Sequence, residues 1–266
     1  MSVNNVSKIL QYILPLSKKA ITVDGEVFDT ARKSITLSPS FFNVDGCNSC
    51  GKCCVAENLL LTQKEYERLM AYTDQDFIDY GLNVEDLHNL QNTIAPVKHN
   101  INGKEITVYI CPNKKQRMIL ETKDAENERD VCYHLFKKED GVYRCKIHPV
   151  RSITCRMPHT RIFHSSSGAT SIGISQFGRN WALGCNVEFD VPKDEAEFES
   201  IKASRIAQLE YLNEIAEDFN SETYIPDIIN YVKNATFDNY RSMLGVNILP
   251  IFTANHSLVS SILKEN

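Results

Sequence analysis

The strongest hydrophobic periodicity in the chain lies in its last third, where apolar residues recur near the spacing of one helical face. Pro192 and several acidic residues open this stretch, which is typical of a helix N-terminus. The pattern predicts a long helix from about 193 to 219 and shorter helices at 226–234, 236–244 and 256–264. The residues predicted to face inward on the long helix are Phe198, Ile201, Leu209, Leu212, Ile215 and Phe219.

A second helix signal follows the apolar run "LLL" at residues 59–61, which predicts a short strand. Thr62 comes next and Glu65 lies three residues further on, so the two can form a reciprocal capping box. This predicts a helix over about 63–71. Its predicted inward-facing residues are Tyr66, Leu69 and Met70.

Short elements are also predicted on either side of this helix. The segment "NVEDLHNLQNTI" predicts another short helix after it. Nearer the N-terminus, Leu10, Ile13 and Leu14 mark one face of a short helix. The pair Asp24-Gly25, flanked by apolar residues, predicts a hairpin.

The segment from about 103 to 178 has the composition of strands and loops. "KEITVYI", "RMILET" and "SGATSIGISQF" predict strands, and the Asp140-Gly141 pair predicts a turn. The predicted fold class is therefore α+β: a loop-rich, cysteine-ligated metal domain at 47–190, preceded by a lead-in at 1–46 that packs on it. A helical C-terminal part at 191–266 completes the chain.

Charge and hydropathy narrow the classes of partner. The net charge of −5 and the sequence pI of about 5.8 give no basic footprint for nucleic acid and argue against docking on anionic lipid. No stretch reaches the roughly 18 apolar residues of a membrane span. The N-terminus lacks the basic start and unbroken apolar run of a secretory signal, so we expect a cytoplasmic protein.

Nine cysteines dominate the candidate chemistry, and four of them form the motif C-x2-C-x2-C-C at Cys47, Cys50, Cys53 and Cys54. In a reducing compartment, clustered cysteines are more often metal ligands or catalytic groups than disulfides. A three-residue rhythm of thiols is typical of iron–sulfur cubane loops, but zinc also accepts C-x2-C pairs. Adjacent side chains of an extended backbone point oppositely, so Cys53 and Cys54 need not share a metal. The spacing alone does not decide between the metals.

A second group of cysteines lies downstream, at Cys132, Cys145, Cys155 and Cys185. Arginines near thiolates favour the deprotonated form that binds metal. Arg151 and Arg156 are the candidates for this role, since they flank Cys155. The histidines that could act as mixed-site ligands are His134, His148, His159 and His164, of which His148 is the best placed between two cysteines.

These motifs together resemble the CxxCxxCC family of zinc- or iron-chelating (YkgJ-type) cysteine cluster proteins, whose domain is shared with flagellin lysine N-methylases. The resemblance rests on "CNSCGKCC", the C-x-H-L element at Cys132 and "CKIHPVRSITCRMP", in that order over about 47–160. Tyr133-His134 stands where the family has Pro-Phe, and Ser152 where it has proline. Cys111 has no family counterpart and is interpreted as an extra, buried thiol. The ligand set that the resemblance implies is Cys47, Cys50, Cys53, Cys54, Cys132, Cys145, Cys155 and Cys185.

Three functions are compatible with this set. The first is an iron–sulfur cluster, of the [4Fe-4S] type, with a redox or cluster-dependent role. The second is a structural zinc in a protein whose work is to bind a protein partner. The third is an enzyme that methylates protein lysines, which rests on the resemblance alone because the chain has no G-x-G-x-x-G or P-loop motif.

Overall fold

The structure is a computed structural model that describes residues 7–18, 21–23, 26–28, 34–45, 51, 54, 59–101, 103–111, 115–121, 126–157, 159–164, 169–174, 189–219, 221–244 and 249–253. The α-helices are α1 (Ser7–Ile13), α2 (Gln63–Ala71), α3 (Asp74–Asp79), α4 (Val84–Thr93), α5 (Ile153–Arg156), α6 (Glu195–Asp218), α7 (Ile225–Asn234) and α8 (Phe237–Met243). Short 3-10 turns lie at Leu14–Leu16, Pro39–Phe42 and His148–Val150.

The strands are short and occur in runs between groups of helices. They are β1 (Ile21–Val23), β2 (Glu26–Phe28), β3 (Ser34–Leu37), β4 (Val44–Asp45), β5 (Leu59–Leu61), β6 (Ala95–Ile101), β7 (Lys104–Cys111), β8 (Lys115–Glu121), β9 (Glu126–Cys132), β10 (Leu135–Lys137), β11 (Tyr143–Cys145), β12 (Thr160–His164), β13 (Ala169–Ile174), β14 (Phe189–Asp190) and β15 (Leu249–Thr253). The predicted α+β class is confirmed.

Two larger sheets organise these strands. One has the order β2-β1-β6-β7-β5, and the other has the order β12-β13-β3-β15. β3 pairs in parallel with β13 and antiparallel with β15, so strands from the lead-in, the cysteine region and the C-terminal part share one sheet. Separate antiparallel pairs join β8 to β9, β10 to β11 and β4 to β14.

Most of the predicted elements are present in the structure. The N-terminal helix, the hairpin, the capped helix α2, the next helix α4, the long helix α6 and both short helices after it form as expected. The expected strands appear as β7, β8 and β13. The helix predicted at 256–264 lies outside the described residues.

The prediction that Met70 faces inward is wrong. Its side chain is 44% exposed, whereas Leu69 is fully buried and Tyr66 is half-buried. The inward position one turn before Leu69 belongs to Glu65, which is only 4% exposed. A buried acid replaces the expected apolar residue because the fold supplies it with hydrogen-bond donors.

Several elements were not predicted from the pattern, among them helix α3 and strands β3, β6, β9, β12 and β15. Helix α3 is short, but it carries its own capping box: Thr73 is the N-cap, and Asp76 Oδ2 accepts from the Thr73 N–H at 2.8 Å. Strand β15 contains Pro250, which weakens a strand pattern. Proline is tolerated there because β15 lies at the edge of its sheet.

The main core packs α1, β3 and the three C-terminal helices together. At its centre the Phe42 ring lies 5.1 Å from Phe198 and 5.8 Å from Tyr240, measured between ring centroids. The predicted inward residues of α6 are buried except for Ile201, which is half-buried. Arg205 is also buried on this helix, and its Nε donates to the carbonyl of Phe41 at 2.8 Å.

A second apolar cluster packs β5, α2, α3 and α4 against the segment that carries the downstream cysteines. Cys111, Ile147 and Val150 are buried in it, and the half-buried Cys145 and Cys155 pack against it. A third cluster is small and consists of Val131, Leu135 and Tyr143. The cysteine region is thus attached to the body of the protein through α2 and α4.

Glu65 links three parts of the fold through its carboxylate. Oε2 accepts from the Thr62 N–H at 2.9 Å, which completes the capping box of α2. Oε1 accepts from the Ile153 N–H at 2.8 Å, at the start of α5, and from the Tyr211 hydroxyl of α6 at 2.6 Å. Burial raises the pKa of Glu65 above its ordinary value, while these hydrogen bonds and the charge of Arg156 act in the opposite direction.

Within the described part of the chain, no helix is both long and apolar enough to cross a membrane.

Replacing Glu65 with alanine tests its linking role. The Glu65→Ala variant leaves three donors without their buried acceptor, so we expect the free energy of unfolding to fall by about 3–5 kcal/mol. Chemical denaturation followed by circular dichroism measures this change. Glu67→Ala is the control, because Glu67 is exposed on the same helix and bonds only Gln63 among the described residues. Equal losses in the two variants would contradict the linking role.

Candidate metal centre

The three described cysteines of the downstream group are held by two hairpins and one turn of helix. Cys132 ends β9, Cys145 ends β11, and Cys155 lies in α5. In the β10–β11 pair, Leu135 is directly opposite Cys145, and the Lys146 N–H donates to the carbonyl of His134 at 2.8 Å. Cys132 and Cys145 are therefore brought to the same end of the hairpin.

A glutamine on the neighbouring strand fixes the turn after Cys132. The Nε2 group of Gln116, on β8, donates to the carbonyl of Cys132 at 2.8 Å and lies 3.0 Å from the carbonyl of Tyr133. This turn leads directly from β9 into β10. The amide thus holds the backbone that carries Cys132 against the start of the next hairpin.

Gly51 and Cys54, the described residues of the opening cysteine loop, lie against the same hairpin. The Cys132 N–H donates to the carbonyl of Cys54 at 3.2 Å, and the Cys54 N–H donates to the carbonyl of Gly51 at 2.9 Å. Gly51 has a φ of 71°, and a Cβ placed on it would lie 2.9 Å from Leu135 Cδ2 and 3.3 Å from Tyr143 Cγ. Only glycine fits this close approach. Gly51 and Cys54 are therefore adjacent to the segment from Cys132 to Tyr143, about 80 residues away in the chain.

The thiols of this region are electrostatically coupled. Burial is the main cause that raises the pKa of the Cys145 thiol to about 12, and the charges of Cys132 and Cys155 act in the same direction. Burial also raises the pKa of Cys111 to about 12, with Cys132 again acting in the same direction. The backbone of Cys132 is thus hydrogen-bonded to that of Cys54, and its thiol is within electrostatic range of the Cys111 and Cys145 thiols. Buried thiols of this kind lose their protons readily only when a cation takes the proton's place.

The two arginines have different positions. Arg151 acts on Cys145, whose pKa its charge lowers, although burial dominates that pKa. Arg156 instead braces the turn: its Nε donates to the carbonyl of Arg151 at 2.8 Å, and its Nη2 to that of Pro149 at 2.6 Å. Its guanidinium also lies 4.6 Å from the centroid of the Tyr211 ring. Arg151 therefore fits the predicted charge-balancing role, and Arg156 holds α5 on α6.

The candidate histidines differ in burial. His134 and His159 are buried and His148 is exposed, whereas the side chain of His164 lies outside the described part of the structure. Burial lowers the pKa of His134 to about 4, so its ring is neutral, and its Nδ1 has no hydrogen-bond partner among the described residues. Lys146 pairs with Asp86 at 3.7 Å on the same side of the hairpin.

The structure brings together part of the predicted ligand set. Its members are related in pairs: Cys54 and Cys132 share a backbone hydrogen bond, and Cys145 is within electrostatic range of Cys132 and Cys155. Cys111 is buried, as the sequence suggested, and is within electrostatic range of Cys132. Cys47, Cys50, Cys53 and Cys185 lie outside the described residues. Among the residues that are described, no three histidine, cysteine, aspartate or glutamate side chains stand together as a group that could hold a metal ion. The donor chemistry of clustered thiols fits a thiophilic metal such as iron or zinc.

Sequence reasoning identified the cysteines but missed the residues that position them. The capping box pointed to Glu65 as an N-terminal residue of α2, yet nothing nearby in the chain shows that its second oxygen binds α5 and α6. Gln116 belongs to no recognisable sequence motif, so its role could not be predicted. Gly51 had a usable signal, because a glycine between ligand cysteines indicates a close backbone approach.

Comparison of the chain with protein-family models, with curated proteins and with solved structures gave no match.

Substitution of Gly51 tests whether loop docking requires the close approach. Gly51→Ala forces a side chain into a left-handed backbone and against Leu135, so we expect it to destabilise the protein by several kcal/mol. Gly103→Ala is a matched control, because Gly103 has a φ of 74° but an added Cβ there would meet no atom within 4 Å among the described residues.

Thermal unfolding of the two variants separates backbone strain from the clash. We expect the wild type to be the most stable protein and Gly103→Ala the next. The free energy of unfolding of Gly51→Ala should be at least ~1 kcal/mol below that of Gly103→Ala, which is the cost of one overpacked contact. Indistinguishable unfolding temperatures for the two variants would contradict the docked position of the loop.

Proposed function

We propose that this chain is a metal-binding cysteine cluster protein that carries an iron–sulfur cluster with a redox or cluster-dependent role. The observation that supports it best is the docking of the opening loop on the hairpin of Cys132 and Cys145, through the Cys132–Cys54 backbone hydrogen bond and the close approach of Gly51 to Leu135. Cys54 of the opening group and Cys132 of the downstream group thus meet, although they are distant in sequence. The resemblance to the CxxCxxCC family predicts the same meeting.

The proposed ligands are the eight cysteines other than Cys111. Eight thiols exceed the four that one cubane or one zinc needs, so two sites, or one site with further thiols in reserve, are compatible with the set. A bound cluster would supply one-electron redox chemistry. The chain's own residues supply thiolates, and Arg151 offsets part of their negative charge beside Cys145.

The surroundings of the thiols favour a shielded centre. Cys145 and Cys155 pack against the cluster of Leu59, Leu69 and Ile147, and Cys54 packs against the small cluster at Leu135 and Tyr143. Apolar walls lower the local dielectric and keep water from the sulfurs, and both effects tune the potential of a cluster. Cys111 is 1% exposed within the same apolar cluster, which suits a packing residue better than a ligand.

A structural zinc is the alternative, and the size of the third apolar cluster favours it. Only Val131, Leu135 and Tyr143 are buried there among the described residues, around hairpins of three residues per strand. So small a core contributes little stability by itself, and metal ligation is a common way to hold such a region together. The protein would then bind a partner rather than transfer electrons.

Anaerobic purification followed by elemental analysis distinguishes the two metals. We expect a brown protein with iron and acid-labile sulfide and with thiolate-to-iron absorption in the visible range. A colourless protein with stoichiometric zinc and no iron would contradict the iron–sulfur proposal and support the structural zinc. A protein with neither metal, when both are supplied during expression, would contradict both.

A pair of cysteine variants tests the ligand assignment. Cys132→Ser removes a proposed ligand at the meeting point, so we expect its metal content to fall severalfold. Cys111→Ala removes a buried neighbouring thiol that is not a proposed ligand, so it should keep the full metal content and lose about 1 kcal/mol of stability through the lost packing. Equal metal loss in the two variants would contradict the assignment, and mass spectrometry of folded protein verifies that each variant is intact.

A further inference from the structure

Basic side chains gather on the outer side of the candidate metal centre. Arg144 lies in β11 and is exposed, while the buried Tyr143 precedes it, so it points away from the small apolar cluster. His148 and Arg151 follow in the next turn, where the Arg151 Nε donates to the carbonyl of His148 at 3.2 Å. Arg156 is tied to the same turn through the carbonyls of Pro149 and Arg151.

The charges of these groups act on one another. Burial lowers the pKa of His148, and the charges of Arg151, Arg156 and Arg144 lower it further. Three guanidinium groups therefore lie within electrostatic range of one imidazole. The Glu65 carboxylate acts on Arg156, but placing the charges of Arg144 and Arg151 together costs free energy unless a counter-charge is supplied.

The described carboxylates form no ion pairs with these arginines. Elsewhere on the surface, basic residues form ion pairs with nearby acids: Lys64 with Glu217, Arg68 with Glu214, and Lys146 with Asp86. In contrast, no aspartate or glutamate of the described ranges forms an ion pair with Arg144, Arg151 or Arg156. This contrast is notable in a chain whose net charge is −5.

The donors of Arg151 and Arg144 are partly available. Among the described residues Arg151 uses only its Nε, and Arg144 uses only Nη1, which donates to the carbonyl of Tyr143 at 3.2 Å. The remaining N–H groups of each guanidinium form a planar fork that matches the two oxygens of a carboxylate or phosphate. The negative charge of thiolates at the metal centre can balance the positive charge of Arg151. Arg144 and His148, in contrast, are exposed and face solvent.

We propose that Arg144, His148 and Arg151 form a binding site for the oxyanion group, carboxylate or phosphate, of a small-molecule ligand at the rim of the cysteine centre. The hydrogen bonds within the 148–156 turn hold Arg151 and Arg156 in place before the ligand binds. Such preorganisation reduces the entropy lost on binding. The site does not depend on which metal the centre holds.

Equilibrium dialysis of the protein as purified tests this site, with radiolabelled inorganic phosphate and acetate as separate probes at low ionic strength. We expect saturable binding of at least one probe, and the tighter of the two identifies the ligand class. Arg144→Gln and Arg151→Gln should each weaken binding about tenfold, and Arg151→Lys should recover only part of the loss, because an ammonium lacks the planar fork.

Arg117→Gln is the control, because Arg117 is exposed on β8 and pairs with Glu128 at 3.6 Å. It should bind both probes as the wild type does. Absence of saturable binding, or equal weakening in the Arg117 and Arg144 variants, would overturn the proposal. Metal content is measured in parallel. If Arg151→Gln loses metal, the proposal is judged on the binding of the probes by Arg144→Gln, because the Arg144 side chain faces solvent. Absence of metal from the wild type would count against the proposed function but not against the oxyanion site.

Discussion

The carboxylate of Glu65 is the interaction on which the arrangement of this fold depends. It accepts hydrogen bonds from the start of α2, the start of α5 and the side chain of Tyr211 on α6. A buried carboxyl group is costly to remove from water, and this cost is offset only when its oxygens are satisfied. All three donors must therefore be in place together, which fixes the cysteine-bearing turn relative to the helical part of the chain.

The position of the candidate metal centre depends on this constraint. Helix α5 carries Cys155 and begins at Ile153, whose N–H donates a hydrogen bond to Glu65. At the other end of α5, the Arg156 guanidinium lies over the Tyr211 ring. On the opposite side, Gly51 allows the opening loop to approach Leu135, which pairs with Cys145. The centre is thus bounded by one element anchored in the body of the protein and one loop that is docked by backbone contacts.

The sequence predicted local features well and tertiary ones less well. Capping residues and periodicity located α2, α4 and α6, because these signals act within a few residues of the chain. The inward position of Glu65, and the exposure of Met70 that goes with it, could not be predicted, because they depend on donors 88 and 146 residues away. The resemblance to the CxxCxxCC family predicts that the two cysteine groups bind metal together, but a motif cannot show that Gln116 holds the backbone of Cys132 or that Gly51 approaches Leu135. Strand β15 was missed because Pro250 obscures a pattern that the edge of a sheet tolerates.

We propose above that cysteine sulfurs from both groups bind the metal. X-ray absorption at the edge of the metal found in the anaerobically purified protein tests it most directly. The account predicts a first shell of sulfur alone, at about 2.3 Å for zinc, with an additional metal–metal shell if the centre is an iron–sulfur cluster. A first shell of nitrogen or oxygen at about 2.0–2.2 Å would contradict it.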